Sequence, residues 1–348
     1  KNIAELAGVS KGTVDRVIHK RGKVSTIALE KVTAILNEID YRPNLLARSL
    51  KNTKDHHICV VLPDYNKDKP MELSKFLSFI ASDKRKTKVG MQSGDFLDFY
   101  PTKKVKIKVD KKAVLESGTV SESNADKIVK KMAWTIRKGT LMKADLVVLD
   151  IISTNAMTGW KRPIYWAITT GSDAYINLMP YLQMEGLTYR LVPIKKNPLM
   201  DDQQSGFVNT DIMYKNIKER FTWGGLETEE DMWVDFVLMR QCKNFRNIFV
   251  RLSYALFMES RIAEHEADQN PELGGQTSGM GDMPSGTLIE DKKQKAIEVL
   301  EDGLRYLPEH LVPYDAYMVQ YSQMFYELGE VDRAFELDEK IAKVLIDE

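Results

Sequence analysis

Apolar and polar positions in the first 40 residues alternate with the period of short helices. Apolar side chains recur every three or four positions in three segments. Gly8 permits a tight turn after the first segment, while Ser10 and Ser25 stand where N-caps of the second and third are expected. The predicted helices span 3–7, 11–18 and 26–39.

The third predicted helix has one apolar face with near-helical spacing. In the first two helices, the small side chain of Ala4 lets them cross closely and Val14 fills the contact between them. A small helical bundle follows from this pattern. The apolar face of the third helix consists of Ile27, Leu29, Val32, Ile35, Leu36 and Ile39.

The first two helices also have the spacing of a helix-turn-helix. In that motif the second helix enters the major groove of DNA, and the side chains near its N-terminus reach the base edges. Here those side chains are Lys11, Thr13 and Arg16. From spacing alone, an ordinary helical bundle without a DNA-binding role is the alternative.

The run AELAGVSKGTVDRVIHKRGKVS, followed by YRPNLLARSL, resembles the DNA-binding headpiece of the LacI family of bacterial repressors over about residues 1–63. The resemblance implies a hinge helix over 43–50 that pairs with the hinge of a second copy on a palindromic operator. It implies that Leu50, beside Ala47, enters the minor groove, where an apolar wedge can kink DNA. The residues implied to contact or orient the DNA backbone are Ser10, Asp15, Ser25 and Asn44.

Two residues depart from the family pattern. Gly12 stands where many members carry a base-reading side chain, so one direct contact is expected to be missing. Asp15 is an acid on the recognition helix; it could orient Arg16, accept a hydrogen bond from a cytosine amine, or be repelled by phosphate. The operator sequence therefore stays open, although the general binding mode does not.

Composition changes this picture when charge is counted by segment. The whole chain carries 50 basic and 50 acidic residues. Residues 1–70 hold 13 basic and 8 acidic residues, residues 71–143 hold 17 and 8, and residues 144–348 hold 20 and 34. A basic front and an acidic back predict parts with different partners. The chain of 348 residues, 43% hydrophobic and 29% charged, also predicts two or three globular domains, and no apolar stretch is long enough for a membrane helix.

Beyond the headpiece the pattern predicts mixed α/β structure rather than the repeated strand–helix units of a sugar-binding core. Lysines along 103–112 indicate either a solvated strand face or nucleic-acid binding. The predicted strands span 56–63, 96–100, 105–109, 162–168 and 187–194. The predicted helices span 71–81, 141–155 and 175–184, and the helix over 141–155 is expected to be buried.

Residues 67–348 resemble the C-terminal soluble region of large bacterial membrane proteins described as protein O-mannosyltransferase-like. The resemblance is carried by PTKKVKIKVD, WKRPIYWAIT, LQMEGLTYRLVPIK, VNTDIMYKN and FRNIFVRLSYAL. It implies that transferase chemistry belongs to a membrane-embedded half and that the soluble region lies outside the cytoplasm. Because that half is not in this sequence, we expect no enzymatic activity and assign no catalytic residue.

The two resemblances imply opposite sides of a membrane, since the headpiece predicts a cytoplasmic protein. We expect a fusion of unrelated pieces with its junction near 64–69. A natural rearrangement, an assembly artefact and an artificial fusion all remain open. Because the chain begins with Lys1 rather than Met, we also expect residues to precede it.

The last third of the chain predicts helices. Phe245, Ile248, Phe249 and Leu252 begin an apolar stripe, and a Gly-, Pro- and acid-rich segment over 264–291 predicts a long mobile loop. The helices beyond it resemble a tetratricopeptide-type hairpin, which binds protein partners, and a helical cap on the α/β part is the alternative. Predicted helices follow at 296–307, 317–328 and 331–346.

We therefore predict a multidomain chain and a sequence-specific, double-stranded-DNA-binding transcriptional regulator that acts as a homodimer. The alternative is a non-catalytic, partner-binding module with a passenger headpiece; a sugar-responsive repressor would need a two-lobed core. No cofactor or metal is expected, because Cys59 and Cys242 lack zinc-site spacing. The predicted domains are a helix-turn-helix headpiece with hinge (1–50), a linker (51–70), a mixed α/β or α+β domain (71–225) and a helical, tetratricopeptide-like domain (226–348).

Overall fold

A computed structural model describes ten stretches of the chain, which fall into two compact units. One unit comprises residues 1–62, 74–101 and 140–150, and the other comprises 63–73, 102–139 and 151–348. The predicted domain boundaries stay predictions. The described residues are 2–19, 21–38, 59–61, 70–82, 88–90, 96–100, 102–200, 203–228, 232–269 and 285–347.

The N-terminal part of the first unit is helical, as predicted. The helices are α1 (Asn2–Ala7), α2 (Lys11–His19) and α3 (Thr26–Glu38). The predicted apolar face of α3 is wrong at two positions, because Ile27 and Leu29 are 69% and 45% exposed whereas Val32 is fully buried. Ile27 lies well around the helix from Val32 and so turns away from α1 and α2. Ile39 lies outside the described residues.

The middle of the chain contains short strands and helices, so the predicted mixed character is confirmed. The strands are β1 (Cys59–Val61), β2 (Met71–Glu72), β3 (Lys88–Gly90), β4 (Phe96–Tyr100), β5 (Lys104–Lys108), β6 (Lys131–Thr135), β7 (Thr140–Leu141), β8 (Tyr165–Ala167), β9 (Leu182–Met184), β10 (Thr188–Leu191) and β11 (Phe207–Val208). The helices are α4 (Leu73–Ile80), α5 (Lys111–Glu116), α6 (Lys143–Met157) and α7 (Thr210–Lys215).

These strands form three small sheets. In the first unit the order is β3-β4-β1-β7, where β1 pairs parallel with β4 and antiparallel with β7. The second unit contains β2-β5-β6 and β11-β9-β10-β8. Mixed parallel and antiparallel pairing in small sheets separates this fold from a doubly wound, all-parallel core.

The lysine-rich strand β5 alternates between the two faces of its sheet. Val105 and Ile107 are buried, whereas Lys108 is exposed. Lys106 lies 3.4 Å from the carboxylate of Glu72 on the neighbouring strand β2. Of the two alternatives for these lysines, this alternation is the one expected of a solvated strand face.

Two predictions for the middle region need correction. No α-helix covers 175–184: two 3₁₀ turns, Ser172–Tyr175 and Met179–Tyr181, lead into strand β9. The physical reason is that Ile176 and Asn177 both adopt positive φ, which an α-helix cannot contain. The helix predicted over 141–155 exists as α6, but it is buried on one face only.

Helix α6 is amphipathic rather than buried all round. Leu146, Leu149 and Ile152 are buried, whereas Val147 and Ile151 are 39% and 50% exposed. Val147 and Ile151 are four residues apart and therefore share the outer face.

The last part of the chain is helical, as predicted. The Gly-rich loop is shorter than the predicted 264–291, because helix covers 264–269 and 285–291, and residues 270–284 lie outside the described residues. The tetratricopeptide-like arrangement stays a prediction. The helices are α8 (Phe236–Gln269), α9 (Ser285–Tyr306), α10 (Ala316–Glu327) and α11 (Val331–Asp347).

A close approach holds α9 against its neighbours. A Cβ atom on Gly303 would lie 2.9 Å from the ring of Phe249 on α8 and would also collide with the hydroxyl of Tyr321 on α10. Only glycine lets the backbone of α9 come this near to both helices. None of the described helices combines the length and the apolar character needed to cross a bilayer.

Arg246 on α8 is almost fully buried and links three elements. Its guanidinium donates to the carbonyls of Pro313 (2.8 Å), Leu307 (3.4 Å) and Val312 in the α9–α10 connection. It lies 3.4 Å from the carboxylate of Asp315, which in turn caps α10 by accepting from the amide of Tyr317. Burial lowers the pKa of Arg246, and Asp315 opposes that shift.

Replacing this guanidinium should destabilise the second unit. We expect Arg246→Ala to lower the free energy of unfolding by about 3–5 kcal/mol, because Asp315 and the carbonyls lose their partner in a buried site. Urea unfolding followed by circular dichroism measures the change. Arg261→Ala is the control, since Arg261 is 63% exposed and pairs only with Glu264 one turn away. An equal loss of unfolding free energy in the two variants would contradict the stabilising role given to Arg246.

Candidate nucleic-acid interface

A small core of its own supports the three N-terminal helices. Ala4 and Ala7 of α1, Val14 of α2 and Val32 of α3 are all buried together. The two alanines keep α1 thin, so that α2 can cross it closely. Partly buried side chains complete the core: Ile3, Val9, Val17, Ile18, Ile35 and Leu36.

The turn between α1 and α2 requires a glycine. Gly8 adopts φ +61°, and its amide donates to the carbonyl of Glu5 at 3.3 Å. The next amide, that of Val9, donates to the carbonyl of Ala4 at 3.0 Å. This left-handed ending stops α1 and turns the chain into α2, as the sequence predicted.

Ser10 caps the second helix. Its hydroxyl oxygen accepts from the amide of Thr13 at 3.1 Å, and its carbonyl accepts from the amides of Thr13 and Val14. The hydroxyls of Ser10 and Thr13 also lie 2.9 Å apart. The structure therefore brings together two residues that the sequence assigned to different tasks, a backbone contact for Ser10 and a base contact for Thr13.

The solvent-facing side of α2 carries the remaining predicted residues of the helix. Lys11, Asp15 and Arg16 are exposed, and Thr13 is half-buried. Gly12 is exposed one helical turn before Arg16, and a Cβ added there would touch only the Ser10 hydroxyl at 3.8 Å. The helix start thus presents two cations, one acid and an open backbone to solvent.

Ser25 begins α3 as its predicted cap. Its hydroxyl oxygen accepts from the amide of Ala28 at 3.4 Å, and its carbonyl accepts from the amide of Leu29 at 2.9 Å. Ser25 is exposed, so the helix start that it caps is open to a ligand. The predicted hinge over 43–50, with Asn44, Ala47 and Leu50, lies outside the described residues.

The headpiece also exposes apolar side chains that sequence reasoning did not assign to a site. Leu6 on α1 is 66% exposed, next to the turn that leads into α2. Ile27 and Leu29 are exposed near the start of α3. A signal was available for Leu6 and Ile27, which fall off the helical periodicity of the buried residues, but not for Leu29, which lies three residues before Val32.

Metal or cofactor chemistry gains no support from the described residues. Among them, no group of three or more His, Cys, Asp and Glu side chains could hold a metal ion. His56, His57 and Cys59 stand close together in the sequence, but their side chains lie outside the described set.

A groove of about 340 Å³ lies between α9, α11 and the chain segment that follows α9. Its charged groups pair with one another: the Arg333 guanidinium donates to Glu301 and to Glu336, each at 2.7 Å. Lys340 also donates to Glu336 at 3.0 Å. Four charged groups of the lining are thus engaged with one another.

Comparison with known families divides the chain into two matches. A family model described as "Bacterial regulatory proteins, lacI family" matches residues 1–44. A second model, described as "TMEM260-associated domain 2", matches residues 30–212. The matches overlap over 30–44, and the predicted junction at 64–69 lies inside the longer one, so its position stays a prediction.

Similar curated proteins match the N-terminal part. The ribose operon repressor of Lactococcus lactis is 45% identical over 64 residues, covering 18% of this chain and 20% of that protein. The sucrose operon repressor of Klebsiella pneumoniae is 46% identical over 67 residues, covering 18% and 20%. The ribose operon repressor of Escherichia coli is 45% identical over 62 residues, covering 18% and 19%. The chain thus spans about a fifth of the length of these relatives, and no solved structure matches it significantly.

The N-terminal part is therefore a LacI-family helix-turn-helix domain, joined to a different kind of domain in a manner consistent with a fusion. Because the second family model covers more than half of the 348 residues, the protein belongs to the family of the TMEM260-associated domain 2. The mannosyltransferase-like description of this part stays a prediction.

Removing the Ser10 cap should loosen the start of α2. We expect Ser10→Ala to lower the local opening free energy by about 1 kcal/mol, because the Thr13 amide loses its side-chain acceptor and keeps only the carbonyl of Ser10. Hydrogen exchange of the α2 amides in the full chain measures this change. Ser121→Ala is the control: Ser121 precedes the 3₁₀ helix Glu122–Lys127 without a side-chain capping bond, so exchange there should not change. Equal effects at both sites would contradict the role given to Ser10.

Proposed function

We propose that the chain is a sequence-specific DNA-binding transcriptional regulator of LacI type that acts in the cytoplasm through its N-terminal helices. The observation that carries the proposal is the capped, solvent-facing start of α2 with Lys11 and Arg16 exposed on it. The matching relatives are named as operon repressors, and their similarity covers this segment. These relatives match 18% of the chain, which is the N-terminal segment, so the proposed DNA binding belongs to the headpiece.

Electrostatics support a phosphate-facing headpiece. Residues 1–70 carry 13 basic and 8 acidic residues even though the whole chain is neutral. Attraction to DNA depends on the local charge that faces the phosphates rather than on the net charge of the chain. The backbone amides at the starts of α2 and α3, near Ser10 and Ser25, add partial positive charge to the headpiece.

Base reading is proposed for three residues of α2. Arg16 has the reach and the two parallel donors for a bidentate contact to guanine, and Lys11 can donate to the same acceptors. The hydroxyl of Thr13 lies against Ser10, so its methyl group is the part we propose meets a base, namely the methyl of thymine. Because Gly12 has no side chain, we propose that one direct base contact made by many family members is missing here.

Asp15 adds a selective element to the same surface. A carboxylate facing a groove can accept from the amine of cytosine but is repelled by phosphate, so it disfavours a shifted register of the helix. We propose that Asp15 orients Arg16 or reads cytosine.

Two headpieces are proposed to act together on a palindromic operator. The proposed hinge over 43–50 would pair with its copy, with Asn44 at the backbone and Ala47 and Leu50 in the minor groove. An inverted repeat in DNA mirrors the two-fold symmetry of a homodimer. A single headpiece is therefore expected to bind weakly.

Arg16 should contribute to specificity as well as to affinity. Selection by the full chain from a random pool of DNA duplexes should enrich an inverted repeat. On that repeat, Arg16→Ala should lose about 1–3 kcal/mol, roughly 5–150-fold in Kd, and relax the preference at one base pair in each half-site. Fluorescence anisotropy at several salt concentrations measures both effects.

Arg21→Ala is the matched control, because Arg21 is an exposed arginine of the headpiece that lies outside α2. It should weaken binding to all duplexes alike, or not at all, and leave base preference unchanged. Failure of the wild-type chain to enrich any sequence would refute the proposed function.

A further inference from the structure

One face of the sheet β2-β5-β6 carries a row of lysines. On β5, Val105 and Ile107 are buried, so the residues that alternate with them share the opposite, solvent-facing side of the sheet. Antiparallel pairing places a further lysine of β6 directly opposite the last lysine of β5. We call this surface the lysine face; it consists of Lys104, Lys106, Lys108 and Lys131.

Lys108 and Lys131 are a like-charged pair at the closest type of cross-strand position. The amide of Val109 donates to the carbonyl of Lys130 at 3.1 Å, which makes Val109 and Lys130 a hydrogen-bonded pair. The adjacent pair, Lys108 and Lys131, is therefore of the non-hydrogen-bonded type, in which the Cα atoms are about 4.5 Å apart and the side chains lie closest. Both lysines are exposed, and neither forms an ion pair with a described acid. Opposed like charges destabilise a sheet, so an anion bound between them would stabilise this one.

The sign of the charges distinguishes the lysine face from an ordinary solvated surface. Solvation explains why polar residues alternate with buried ones, but a typical protein surface intersperses acids with bases. Here Glu72 is the one acid among the strand residues of the sheet, and it lies 3.4 Å from Lys106. Residues 102–139, which contain β5 and β6, hold eleven basic and four acidic residues. One of those acids, Asp110, is already engaged, because its carboxylate accepts from backbone amides at the start of α5. This excess of positive charge favours an anionic ligand.

The spacing of the lysine face fits a polyanion with regularly repeated charges. Alternate residues of a strand lie about 6.8 Å apart, so the row from Lys104 to Lys108 spans about 14 Å. Over that length one strand of duplex DNA presents about four phosphates. Lysine binds phosphate as a point charge and lacks the planar fork with which arginine reads a base. Contacts of this kind hold a duplex without selecting its sequence.

We propose that the lysine face binds the phosphate backbone of duplex DNA, independently of sequence, as a second contact in addition to the headpiece. The choice of DNA rests on the proposed function, because a duplex held by the headpiece is at a raised local concentration for other surfaces of the same chain. An acidic membrane is less favoured, since the described strands of this sheet expose no large apolar side chain that could enter a bilayer.

The salt dependence of DNA binding by the full chain tests the lysine face. The double variant Lys108→Gln/Lys131→Gln should reduce the slope of log Kd against log salt by about 1.8, because each lost phosphate contact contributes about 0.9. Between about 50 and 200 mM salt, the affinity should therefore fall roughly tenfold less than that of the wild type. The reduction should be similar on the selected inverted repeat and on a duplex of unrelated sequence, since phosphates carry no base information. Fluorescence anisotropy over a salt series measures the slopes.

Two matched variants separate the effect of this charge from charge elsewhere and from folding. Lys108→Arg/Lys131→Arg keeps both charges and should keep the wild-type slope. Lys161→Gln/Lys343→Gln removes two exposed lysines that lie outside this sheet, and it should also keep that slope. Because Lys108 and Lys131 repel each other, their replacement by glutamine should not lower the free energy of unfolding in urea. A wild-type slope in the Lys108→Gln/Lys131→Gln variant, or an equal reduction in either control, would overturn the proposal.

Sequence selection separates this proposal from the proposed function. If the wild type enriches no sequence but Lys108→Gln/Lys131→Gln still reduces the slope on an unrelated duplex, the lysine face stands and the sequence-specific function fails. If an inverted repeat is enriched and the double variant keeps the wild-type slope, the proposed function stands and the lysine face fails. If the double variant loses binding to phosphatidylserine vesicles while its slope on DNA is unchanged, the face binds acidic lipid and the DNA proposal fails.

Discussion

Two buried guanidinium groups on α8 hold the second unit together. Arg251 donates to the Tyr189 hydroxyl on β10 at 2.7 Å and to the carbonyl of Ser205 at 2.9 Å, while Arg246 serves the α9–α10 connection and Asp315. A guanidinium in an apolar interior is tolerated only when its donors find partners. The sheet, α8 and the helices after it must therefore be in place together. Burial also raises the pKa of Tyr321, which stays protonated and donates to the backbone carbonyl of Arg246.

Sequence reasoning could find α8 but not its two arginines. The stripe that includes Ile248, Phe249 and Leu252 has helical spacing, and these residues are buried as the spacing predicts. Arg246 interrupts that stripe, and its partners are carbonyls more than 60 positions away, which no local pattern reveals. The two 3₁₀ turns that replace the predicted helix over 175–184 were also hidden from local sequence patterns. Positive φ at Ile176 depends on the packing around it, because a β-branched residue disfavours that conformation, whereas the neighbouring Asn177 adopts it more readily.

The candidate site was more predictable because its determinants are local. Ser10 caps α2 through an amide three residues away, and Gly8 turns the chain within one residue, so each can be inferred from a short stretch of sequence. The contact between the Ser10 and Thr13 hydroxyls could not, because it depends on a side-chain rotamer. The exposure of Ile27 depends on which residues of α3 the other two helices can reach. Asn44, Ala47 and Leu50 stay predictions.

The headpiece owes its shape to its own residues. Its core of Ala4, Ala7, Val14 and Val32 comes wholly from its own three helices, so a different body need not disturb the surface of α2. Under the proposed function, two headpieces must act at high local concentration, since one recognition helix makes few base contacts. The repressor relatives are matched over only about a fifth of their length. The proposed pairing of headpieces therefore rests on this chain's own residues rather than on the remainder of those relatives.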